Sequence, residues 1–557
     1  MLLSGADIIV KILIEQGCDT VFGYPGGQAL NIYDSLYAHS NEINHILTAH
    51  EQGAAHAADG YARATGRVGV VFSTSGPGAT NLVTGIATAY LDSIPLIAIC
   101  GNVPTTHIGT DSFQEIDITG ITLPITKHNY FVNDVEDLAD ILREAFRLAK
   151  SGRPGPVLID VPKDVQIAKC EYEFQPAVEK EEPFAAKNDR INEAAKIINA
   201  AKQPYIYFGG GLITANAQAE MLALAEKIDA PIGCSLMGLS AIPTDYPRFL
   251  GMQGMHGHYT SSMAMHNADL ILSLGVRFND RVTGNRQKFA TGAKIIHIDV
   301  DGSELFKTVD AVCGLRGDVK LTLEKLLPML KENKKPEWRV KVEAFRQEEE
   351  SCLDKREGLT PRKVILILNK YLGENTAVCT DVGQHQMWAA QNLNLKTPRR
   401  FISSGGLGTM GFGFGAAIGA AFGTKERSVL VTGDGSFGMN LNELATAVRY
   451  NIPIVILIMN NGVLGMVRQW QTLFYNKHYS NSVLERKTDF TAFAKSFGAN
   501  GEAVTTPEEL DEALSRAFRA EGPYIIDCKI DKDEFVLPML PPGGSMDDII
   551  TNLEVEQ

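Results

Sequence analysis

The chain has 557 residues, of which 45% are hydrophobic and 21% charged, and its formal net charge is −14. This length predicts three or four domains of about 100–200 residues each. The acidic balance argues against a nucleic-acid partner, and no apolar run is long enough to cross a membrane. Eight scattered cysteines without a CxxC pair, and an N-terminus without a basic signal region, predict a reduced, cytoplasmic protein.

Apolar strands alternate with helical patterns up to about residue 165, which is typical of βαβ architecture. The predicted strands include Val68–Ser73, Pro95–Cys100 and Val157–Asp160. The polar stretch Glu171–Asn188 is predicted to be a linker, so a first domain is expected over residues 1–170.

Glu51 is the candidate acid of this first domain. It follows the strand-like run Ile43–Thr48 and opens a helix of small residues. An acid in the first turn complements the helix dipole, which is one explanation. The other is a positioned, poorly solvated carboxylic acid that relays a proton. The residue pattern leaves both explanations open.

A second domain is expected over residues 189–335. The strand Tyr205–Phe208 is followed by Gly209–Gly211 and a helical run, and Leu270–Leu274 and Lys294–Val300 are further strands. A glycine loop between strand and helix can hold a dinucleotide pyrophosphate, but three glycines also make a plain turn. The charged segment Lys331–Lys363 is predicted to be a solvated helix and connector.

The third domain, expected over residues 360–557, carries the strongest motif. Asp434 follows the strand Ser428–Thr432, a helix is predicted over Leu441–Tyr450, and Asn461 follows the strand Ile452–Met459. One βαβ unit thus brings an acid and an amide to the same sheet edge. Their oxygens suit Mg²⁺ bound to a diphosphate. The alternative is an Asp-Gly turn with Asn as a helix cap.

The pair of motifs Gly433-Asp434-Gly435-Ser436 and Asn460-Asn461 resembles the diphosphate motif of thiamine diphosphate (ThDP) enzymes. The stretches Gly23–Gly27, His50–Ala54 and Thr74–Asn81 are similar to the pyrimidine-binding domain of ThDP-dependent carboligases and decarboxylases. The resemblance implies an α/β fold of three domains, with doubly wound parallel sheets, and ThDP and Mg²⁺ as cofactors. It also implies a homodimer or tetramer, because two chains form each site in that family.

Five further segments resemble the catalytic subunits of the acetohydroxyacid (acetolactate) synthases: Gly109–Glu115, Arg277–Gly284, Asp381–His385, Gly408–Gly411 and Gly465–Gln471. The resemblance implies decarboxylation of pyruvate on ThDP and transfer of the hydroxyethyl unit to pyruvate or 2-ketobutyrate. The products would be 2-acetolactate or 2-aceto-2-hydroxybutyrate, for branched-chain amino acid biosynthesis. It leaves a regulatory subunit open as a further partner.

The same resemblance assigns site residues. The acid Glu51 would activate the cofactor, and the metal would be held by Asp434, Asn461 and the Val463 carbonyl. The remaining ThDP positions are Tyr24, Gly27, Val382, Gly383, Gln384, His385, Gly408, Met410, Gly435 and Ser436. FAD would be bound by Arg153, Gly209, Gly211, Ser235, Leu236, Met255, Gly257, Arg277, Asp299 and Asp318.

The acceptor 2-ketoacid needs its carboxylate oriented, and a fixed guanidinium does this well, so Arg281 is the candidate. Trp470 would form a wall of the acceptor pocket. Met466, Phe113 and Gln114 would bound the reacting carbons, and Lys163 would line the access channel. The alternatives are a surface salt bridge for Arg281 and core packing for Trp470 and Met466.

Several positions depart from the family pattern and bear on flavin affinity and pocket shape: Gln28, His258-Tyr259, Asn279 and Phe414-Gly415. The rival functions are a flavin-free catabolic acetolactate synthase, a plain 2-ketoacid decarboxylase and a flavin-dependent pyruvate oxidase. The segments Arg277–Gly284 and Gly465–Gln471 argue against the first two. A non-enzymatic nucleotide-binding scaffold would leave Glu51, Asp434 and Asn461 unexplained.

Overall fold

The computed structural model describes residues 1–177 and 182–552, so residues 178–181 of the predicted linker lie outside the described residues. The chain divides into two compact units. The first unit comprises residues 1–181, 375–385 and 402–529, and the second comprises residues 182–374, 386–401 and 530–557.

The N-terminal part of the first unit alternates strands and helices as predicted. Its elements are β1 (Leu2–Ser4), α1 (Gly5–Glu15), β2 (Thr20–Gly23), α2 (Leu30–Ala38), β3 (Asn44–Leu47), α3 (Glu51–Thr65), β4 (Gly69–Ser73), α4 (Pro77–Asn81), α5 (Val83–Asp92), β5 (Leu96–Asn102), α6 (Ile118–Thr122), β6 (His128–Phe131), α7 (Val135–Lys150), β7 (Pro156–Pro162), α8 (Lys163–Ile167) and β8 (Lys169–Glu171).

The middle of the chain repeats this alternation. Its elements are α9 (Asn188–Ala200), β9 (Pro204–Phe208), α10 (Gly210–Ala215), α11 (Gln218–Ile228), β10 (Ile232–Cys234), β11 (Phe249–Met252), α12 (Tyr259–His266), β12 (Leu270–Leu274), α13 (Asp280–Thr283), β13 (Lys294–Asp299), β14 (Cys313–Arg316), α14 (Val319–Leu326), α15 (Pro336–Ser351) and α16 (Pro361–Leu368).

The C-terminal part follows the same plan. Its elements are β15 (Ala377–Thr380), α17 (Gln384–Asn392), β16 (Phe401–Ile402), α18 (Phe412–Thr424), β17 (Ser428–Gly433), α19 (Asp434–Asn440), α20 (Leu444–Arg449), β18 (Ile454–Asn460), α21 (Gly465–Phe474), α22 (Phe490–Phe497), β19 (Asn500–Val504), α23 (Pro507–Ala517) and β20 (Tyr524–Lys529).

Three six-stranded sheets carry the fold, with the orders β3-β2-β4-β5-β7-β6, β11-β10-β9-β12-β13-β14 and β16-β15-β17-β18-β20-β19. The first and third orders are the same when each sheet's strands are counted from its own first strand. The middle sheet has the doubly wound order of dinucleotide-binding folds. The sheets confirm the predicted α/β class, and the shared strand order goes beyond the fold-class similarity that the sequence showed.

Helices α3 and α18 occupy equivalent places in the first and third sheets, and they pack against each other within the first unit. Glycines allow this close approach, because a Cβ on Gly415 would lie 2.7 Å from the Gly53 carbonyl oxygen. Their buried alanines and Phe412 join one apolar core that extends over both sheets. Tight helix packing therefore ties the two equivalent sheets together.

Two predicted elements were wrong in detail. The run Leu441–Tyr450 is not one helix: α19 begins at Asp434 itself, and a 3-10 turn at Leu441–Glu443 precedes α20. Within Lys331–Lys363, α15 is not simply solvated, because Trp338 and Val342 are buried in it. Tertiary contacts override local polarity in both places.

The predicted linker is anchored at both of its described ends. Tyr172 is buried, and its hydroxyl donates to Glu15 (3.0 Å). Ala186 is also buried, and its N–H donates to the Thr322 hydroxyl (3.1 Å). None of the described helices combines the length and apolarity that a membrane span needs.

Candidate active site

Glu51 is the first residue of α3, where an acid complements the helix dipole. The preceding His50 caps the helix, since its Nδ1 accepts from the Gln52 N–H (3.1 Å). Asn81 donates its side-chain N–H to Glu51 Oε2 (2.9 Å). A Cβ on Gly78 would lie 3.2 Å from Glu51 Oε1, so this glycine leaves space beside the other oxygen. The half-buried carboxylate is thus held at one oxygen and accessible at the other.

Asn81 is a functional candidate that sequence reasoning missed. It belongs to the glycine-rich stretch Thr74–Asn81. The sequence pattern does not predict that its amide contacts Glu51, which lies 30 residues away in the chain. Nearby, Gln114 has a φ of +62°, and a Cβ on Gly76 would lie 2.9 Å from the Gln114 Cβ. The structure therefore brings predicted Gln114 against the same glycine loop.

The other candidates of the first sheet lie at its surface. Tyr24 and Gly27 follow β2 and are exposed. Lys163 opens α8 and places its Nζ 3.4 Å from the Gly27 carbonyl oxygen. Phe113 is 84% exposed, which is unusual for so large an apolar side chain. Lys163 is thus close to the Tyr24–Gly27 segment, while Phe113 is free to meet a ligand or another chain.

Asp434 is buried at the start of α19, at the carboxyl edge of the third sheet. Burial raises its pKa to about 6, although backbone N–H groups, including that of Asn461, donate to the carboxylate. The Asn461 Oδ1 accepts from the Val463 N–H (3.2 Å), and its Nδ2 donates to Gln384 (3.3 Å). The predicted metal residues and Gln384 therefore converge.

The donor set of this edge fits Mg²⁺. Burial disfavours the charged form of the Asp434 carboxylate, and a nearby cation would stabilise that form. The neighbouring amide and carbonyl oxygens are hard ligands of the kind that Mg²⁺ prefers. Within residues 1–177 and 182–552 no group of three His, Cys, Asp or Glu side chains converges.

The first Asn of the doublet has a different role. Asn460 donates its side-chain N–H to Asp527 (2.9 Å) on the neighbouring strand β20. The next residue, Asn461, donates its backbone N–H to the Asp434 carboxylate. The doublet therefore combines one structural and one candidate ligand residue.

His385 is buried between two glycines of the predicted diphosphate loops. A Cβ on Gly383 or Gly433 would lie 2.9 or 2.8 Å from its imidazole ring. Burial lowers the pKa of His385 to about 3, so the ring is neutral. Its Nε2 has no hydrogen-bond partner among the described residues. An orphaned buried nitrogen is a feature that a polar ligand group satisfies.

The remaining diphosphate candidates surround this point. The Ser436 hydroxyl donates to the Val382 carbonyl oxygen (3.1 Å). A Cβ on Gly435 would lie 3.9 Å from Met410 Cε, and Gly408 adopts a φ of +69°. The structure therefore brings together the ThDP candidates that follow β15, β16 and β17.

Met466 and Trp470 lie four residues apart on α21, so they share one face of that helix. Both are half-buried rather than part of the core. The Trp470 ring packs edge-on against Phe474, with 5.7 Å between ring centroids. This face leaves part of the indole available to a ligand.

Arg281 lies in the second unit, on the single-turn helix α13. Its side chain is 58% exposed, and its Nε is 3.9 Å from Asp280 Oδ2. Its Nη1 lies 3.7 Å from Met255 Sδ. An exposed guanidinium is chemically suited to bind a carboxylate.

The flavin candidates of the second unit share the carboxyl edge of the middle sheet. Gly209 follows β9, Met255 and Gly257 follow β11, and Asp299 ends β13. The others are Gly211, Ser235, Leu236, Arg277 and Asp318. The strand order reverses between β9 and β12, which is where doubly wound sheets bind dinucleotides.

Three details refine the flavin prediction. The helix begins at Gly210, and Cβ atoms on Gly209 and Gly211 would lie 2.8 Å from the Gly275 carbonyl oxygen. These glycines therefore allow two loops to pack closely. Asp318 caps α14 by accepting from the Leu321 N–H (3.1 Å). Arg153 lies in the first unit, where its Nε donates to Ser93 (2.8 Å).

Two polar residues of the loop after β11 were not predicted as site residues. Gln253 and His256 are buried, and Gln253 Oε1 and His256 Nδ1 have no partner among the described residues. Burial, together with the charge of Arg281, lowers the pKa of His256 to about 4. The one sequence feature that could have indicated them is their position beside Met255 in the chain.

Comparison with known proteins identifies the family. Three thiamine pyrophosphate enzyme models match: the N-terminal TPP binding domain over residues 3–121, the central domain over 191–326 and the C-terminal TPP binding domain over 381–528.

Full-length relatives narrow the match. A probable acetolactate synthase large subunit of Methanocaldococcus jannaschii is 45% identical, covering 100% of this chain and 96% of the relative. The acetolactate synthase isozyme 3 large subunit of Escherichia coli is 44% identical, covering 98% of each. The acetolactate synthase large subunit of Haemophilus influenzae is 43% identical, covering 100% of this chain and 99% of the relative. The chain belongs to the thiamine pyrophosphate enzymes and, within them, to the acetolactate synthase large subunits.

Proposed function

We propose that this chain is the catalytic subunit of a ThDP-dependent acetolactate synthase that joins two 2-ketoacids in branched-chain amino acid biosynthesis. The observation that carries the proposal is the pair of sheet edges in the first unit. One edge holds a positioned acid, Glu51, and the other holds the convergent set Asp434, Asn461 and Val463. The full-length similarity to acetolactate synthase large subunits supports it.

Glu51 acts as the proton relay. Because Asn81 fixes one carboxylate oxygen, the other is free to bind the ring nitrogen of the ThDP pyrimidine and exchange a proton there. Bound ThDP supplies the electron sink that decarboxylation of a 2-ketoacid requires. Glu51 therefore sets the protonation state on which that chemistry depends.

Asp434, Asn461 and the Val463 carbonyl would hold Mg²⁺, whose charge would help to bind the ThDP diphosphate. His385 and Ser436 would contact the diphosphate, and the orphaned His385 Nε2 supports this assignment. Occupancy by a cation would also offset the cost of burying the Asp434 carboxylate.

Arg281 orients the acceptor. A guanidinium forms two parallel hydrogen bonds with a carboxylate, so it fixes both the position and the rotation of a 2-ketoacid. Trp470 and Met466 would bound the acceptor's alkyl group. A flat apolar wall rewards the extra methylene of 2-ketobutyrate over pyruvate by about 1–3 kcal/mol.

The middle sheet would bind FAD at its topological switch point, beside Gly209, Arg277 and Asp299. The strand order and the cluster of candidates at one edge support this. FAD takes no net part in joining two 2-ketoacids, so its role would be structural.

We further propose that each site is completed by a second copy of the chain. Large apolar side chains of the first unit are exposed in the single chain, notably Phe113, Leu123, Met439 and Tyr475. Exposed apolar surface of this kind is typical of an interface between subunits. The name "large subunit" of the relatives supports a smaller protein as an additional partner.

The test is product analysis with pyruvate, ThDP and Mg²⁺, with and without added FAD. Acetolactate formed only with FAD is the result expected. Acetolactate formed without any flavin would support the carboligase activity but contradict the proposed role of FAD. Acetaldehyde alone would identify a decarboxylase, and electron transfer to an acceptor would identify a pyruvate oxidase.

A further inference from the structure

His258, one of the departures from the family pattern, has a specific place in the second unit. It directly precedes α12 but does not cap that helix with its side chain. Its Nδ1 accepts from the Met252 N–H (3.1 Å), and its Nε2 lies 3.0 Å from the Gln391 carbonyl oxygen. Because Nδ1 accepts from a backbone N–H, the ring proton is on Nε2 and is donated to Gln391.

The backbone is shaped to seat this ring. Gly251 has a φ of +92°, and a Cβ there would lie 2.6 Å from His258 Cε1. A larger residue at Gly251 would be strained by its φ and would also expel the imidazole. The ring therefore fills a space that the strand end leaves for it.

Gln391 on α17, whose carbonyl oxygen contacts His258, also contacts the same loop through its side chain. Its side-chain N–H groups donate to the His256 carbonyl oxygen (3.0 Å) and the Leu537 carbonyl oxygen (3.2 Å). Together His258 and Gln391 fasten the loop of residues 252–258 and the C-terminal segment to α17. We call these two residues the loop clamp.

The clamped loop in turn holds Arg281. The Met255 N–H donates to the Arg281 carbonyl oxygen (2.6 Å), and the Arg281 Nη1 lies 3.7 Å from Met255 Sδ. The Leu540 N–H donates to the Met255 carbonyl oxygen (2.8 Å). A helix of one turn is too short to be stable alone, so the position of α13 depends on such contacts.

We propose that His258 and Gln391 are positioning residues that set the location of Arg281 and thereby the capture of the second 2-ketoacid. This inference rests on the proposed function, in which Arg281 binds the acceptor carboxylate. The contacts of the loop clamp lie in the second unit, whereas Glu51 and Asp434 lie in the first, so we expect the clamp to leave the Glu51 proton relay unchanged.

Two variants break the clamp independently: His258→Ala and Gln391→Ala. The KM for the acceptor should rise about tenfold in each, since one or two hydrogen bonds are lost. The share of product released as acetaldehyde should rise with it. Exchange of the ThDP C2 proton for deuterium should stay at the wild-type rate. In the protein without substrate, amide hydrogen exchange at Met255 should accelerate.

Glu349→Ala is the matched control. Glu349 on α15 accepts from the N–H groups of Tyr259 (3.1 Å) and Thr260 (3.0 Å), so it anchors the same start of α12 without touching the clamp. Its acceptor KM and Met255 exchange should match the wild type. His258→Gln keeps a donor near the Nε2 position and should recover part of the loss.

An unchanged acceptor KM in both clamp variants, or the same change in Glu349→Ala, would overturn the inference. Unchanged exchange at Met255 in a clamp variant would overturn it as well, even if that variant is inactive. Failure of the proposed function looks different: the wild-type protein with ThDP and Mg²⁺ would then form no acetolactate, whatever the clamp does to Met255.

Discussion

The first and third sheets have the same strand order, yet their carboxyl edges carry different chemistry. Their equivalent strands β5 and β18 both end in asparagine. Asn102 donates to Asp160 on β7 (2.6 Å), and Asn460 donates to Asp527 on β20 (2.9 Å). The two Asn–Asp pairs occupy equivalent positions and join equivalent strands.

The residues proposed to be functional are those that differ between the two sheets. After β17 the chain turns at once into α19 with Asp434, whereas after the equivalent β4 it forms a glycine loop and places Asn81 against Glu51. Asn461 directly follows the shared asparagine Asn460. The comparison teaches that the duplicated residues stabilise the sheets and the unshared ones carry the proposed chemistry.

Replacing Glu51 should give the largest effect. Glu51→Gln keeps the shape and the Asn81 contact but cannot exchange a proton, so kcat should fall about 10²–10⁴-fold. Exchange of the ThDP C2 proton, followed by NMR, should slow in parallel. Glu42→Gln, which removes only an exposed ion pair with Lys11, should leave both rates unchanged. Normal exchange in Glu51→Gln would contradict the relay.

The asparagine doublet separates the shared residue from the unshared one. Asn461→Ala should raise the Mg²⁺ concentration needed for activity at least about tenfold, as loss of a metal-site oxygen does. Asn460→Ala should instead lower the free energy of unfolding by about 1–3 kcal/mol, because buried Asp527 loses a donor. Titration with Mg²⁺ after EDTA treatment, and urea unfolding, measure the two effects. A Mg²⁺ defect in Asn460→Ala alone would reverse the assignment.

The second unit provides a test of stability that should leave catalysis unchanged. Burial alone would raise the pKa of Asp229, but hydrogen bonds from Arg339, Lys335 N–H and Arg248 outweigh it and hold the pKa at about 2. Compared with the ordinary value of 3.8, this shift corresponds to about 2 kcal/mol of stability.

The carboxylate pKa is lowered on folding, so this stability is present above about pH 4 and is lost as the pH falls toward 2. Asp229→Asn should therefore lower the free energy of unfolding at pH 7 and flatten its decline over that acid range. Glu332→Gln, at an exposed ion pair, is the control. A pH profile identical to the wild type in Asp229→Asn would show that the cluster contributes no net stability.

The smallest expected effect concerns acceptor choice. Trp470→Leu should reduce the preference for 2-ketobutyrate over pyruvate about tenfold, within the range that one methylene allows. Competition between the two acceptors, with both products quantified, measures it. Phe474→Leu removes only the ring that packs against Trp470 and should change the preference less. Equal changes in the two variants would mean that Trp470 acts by packing.

The sequence predicted those features that depend on local pattern. The strand Leu270–Leu274 has the predicted bounds, and the edge that joins Asp434 to Asn461 follows from one βαβ unit. Helix α19 was missed because Gly435 and Gly438 make its sequence a poor helix former, and tertiary packing decides its structure.

Contacts between distant segments were not predictable from pattern. The amide of Asn81 reaches Glu51, Glu349 anchors the start of α12, and His258 meets Gln391 across more than one hundred residues. Such contacts depend on strand order and loop shape, which hydrophobic periodicity does not encode. For the same reason, the sequence could not predict that the first and third sheets share one strand order.

The most direct test of the central claim is complementation between two inactive variants. The claim is that one site takes Glu51 from one chain and Asp434 with Asn461 from another. Glu51→Gln and Asn461→Ala are unfolded together, refolded as a mixture, and assayed for acetolactate at a Mg²⁺ concentration that sustains the wild type but leaves Asn461→Ala alone inactive. In a mixed dimer one site carries both substitutions and the other carries none. Random mixing should therefore restore about a quarter of the wild-type activity. If each chain held a complete site, the mixture would stay as inactive as its parents, and that result would contradict the account.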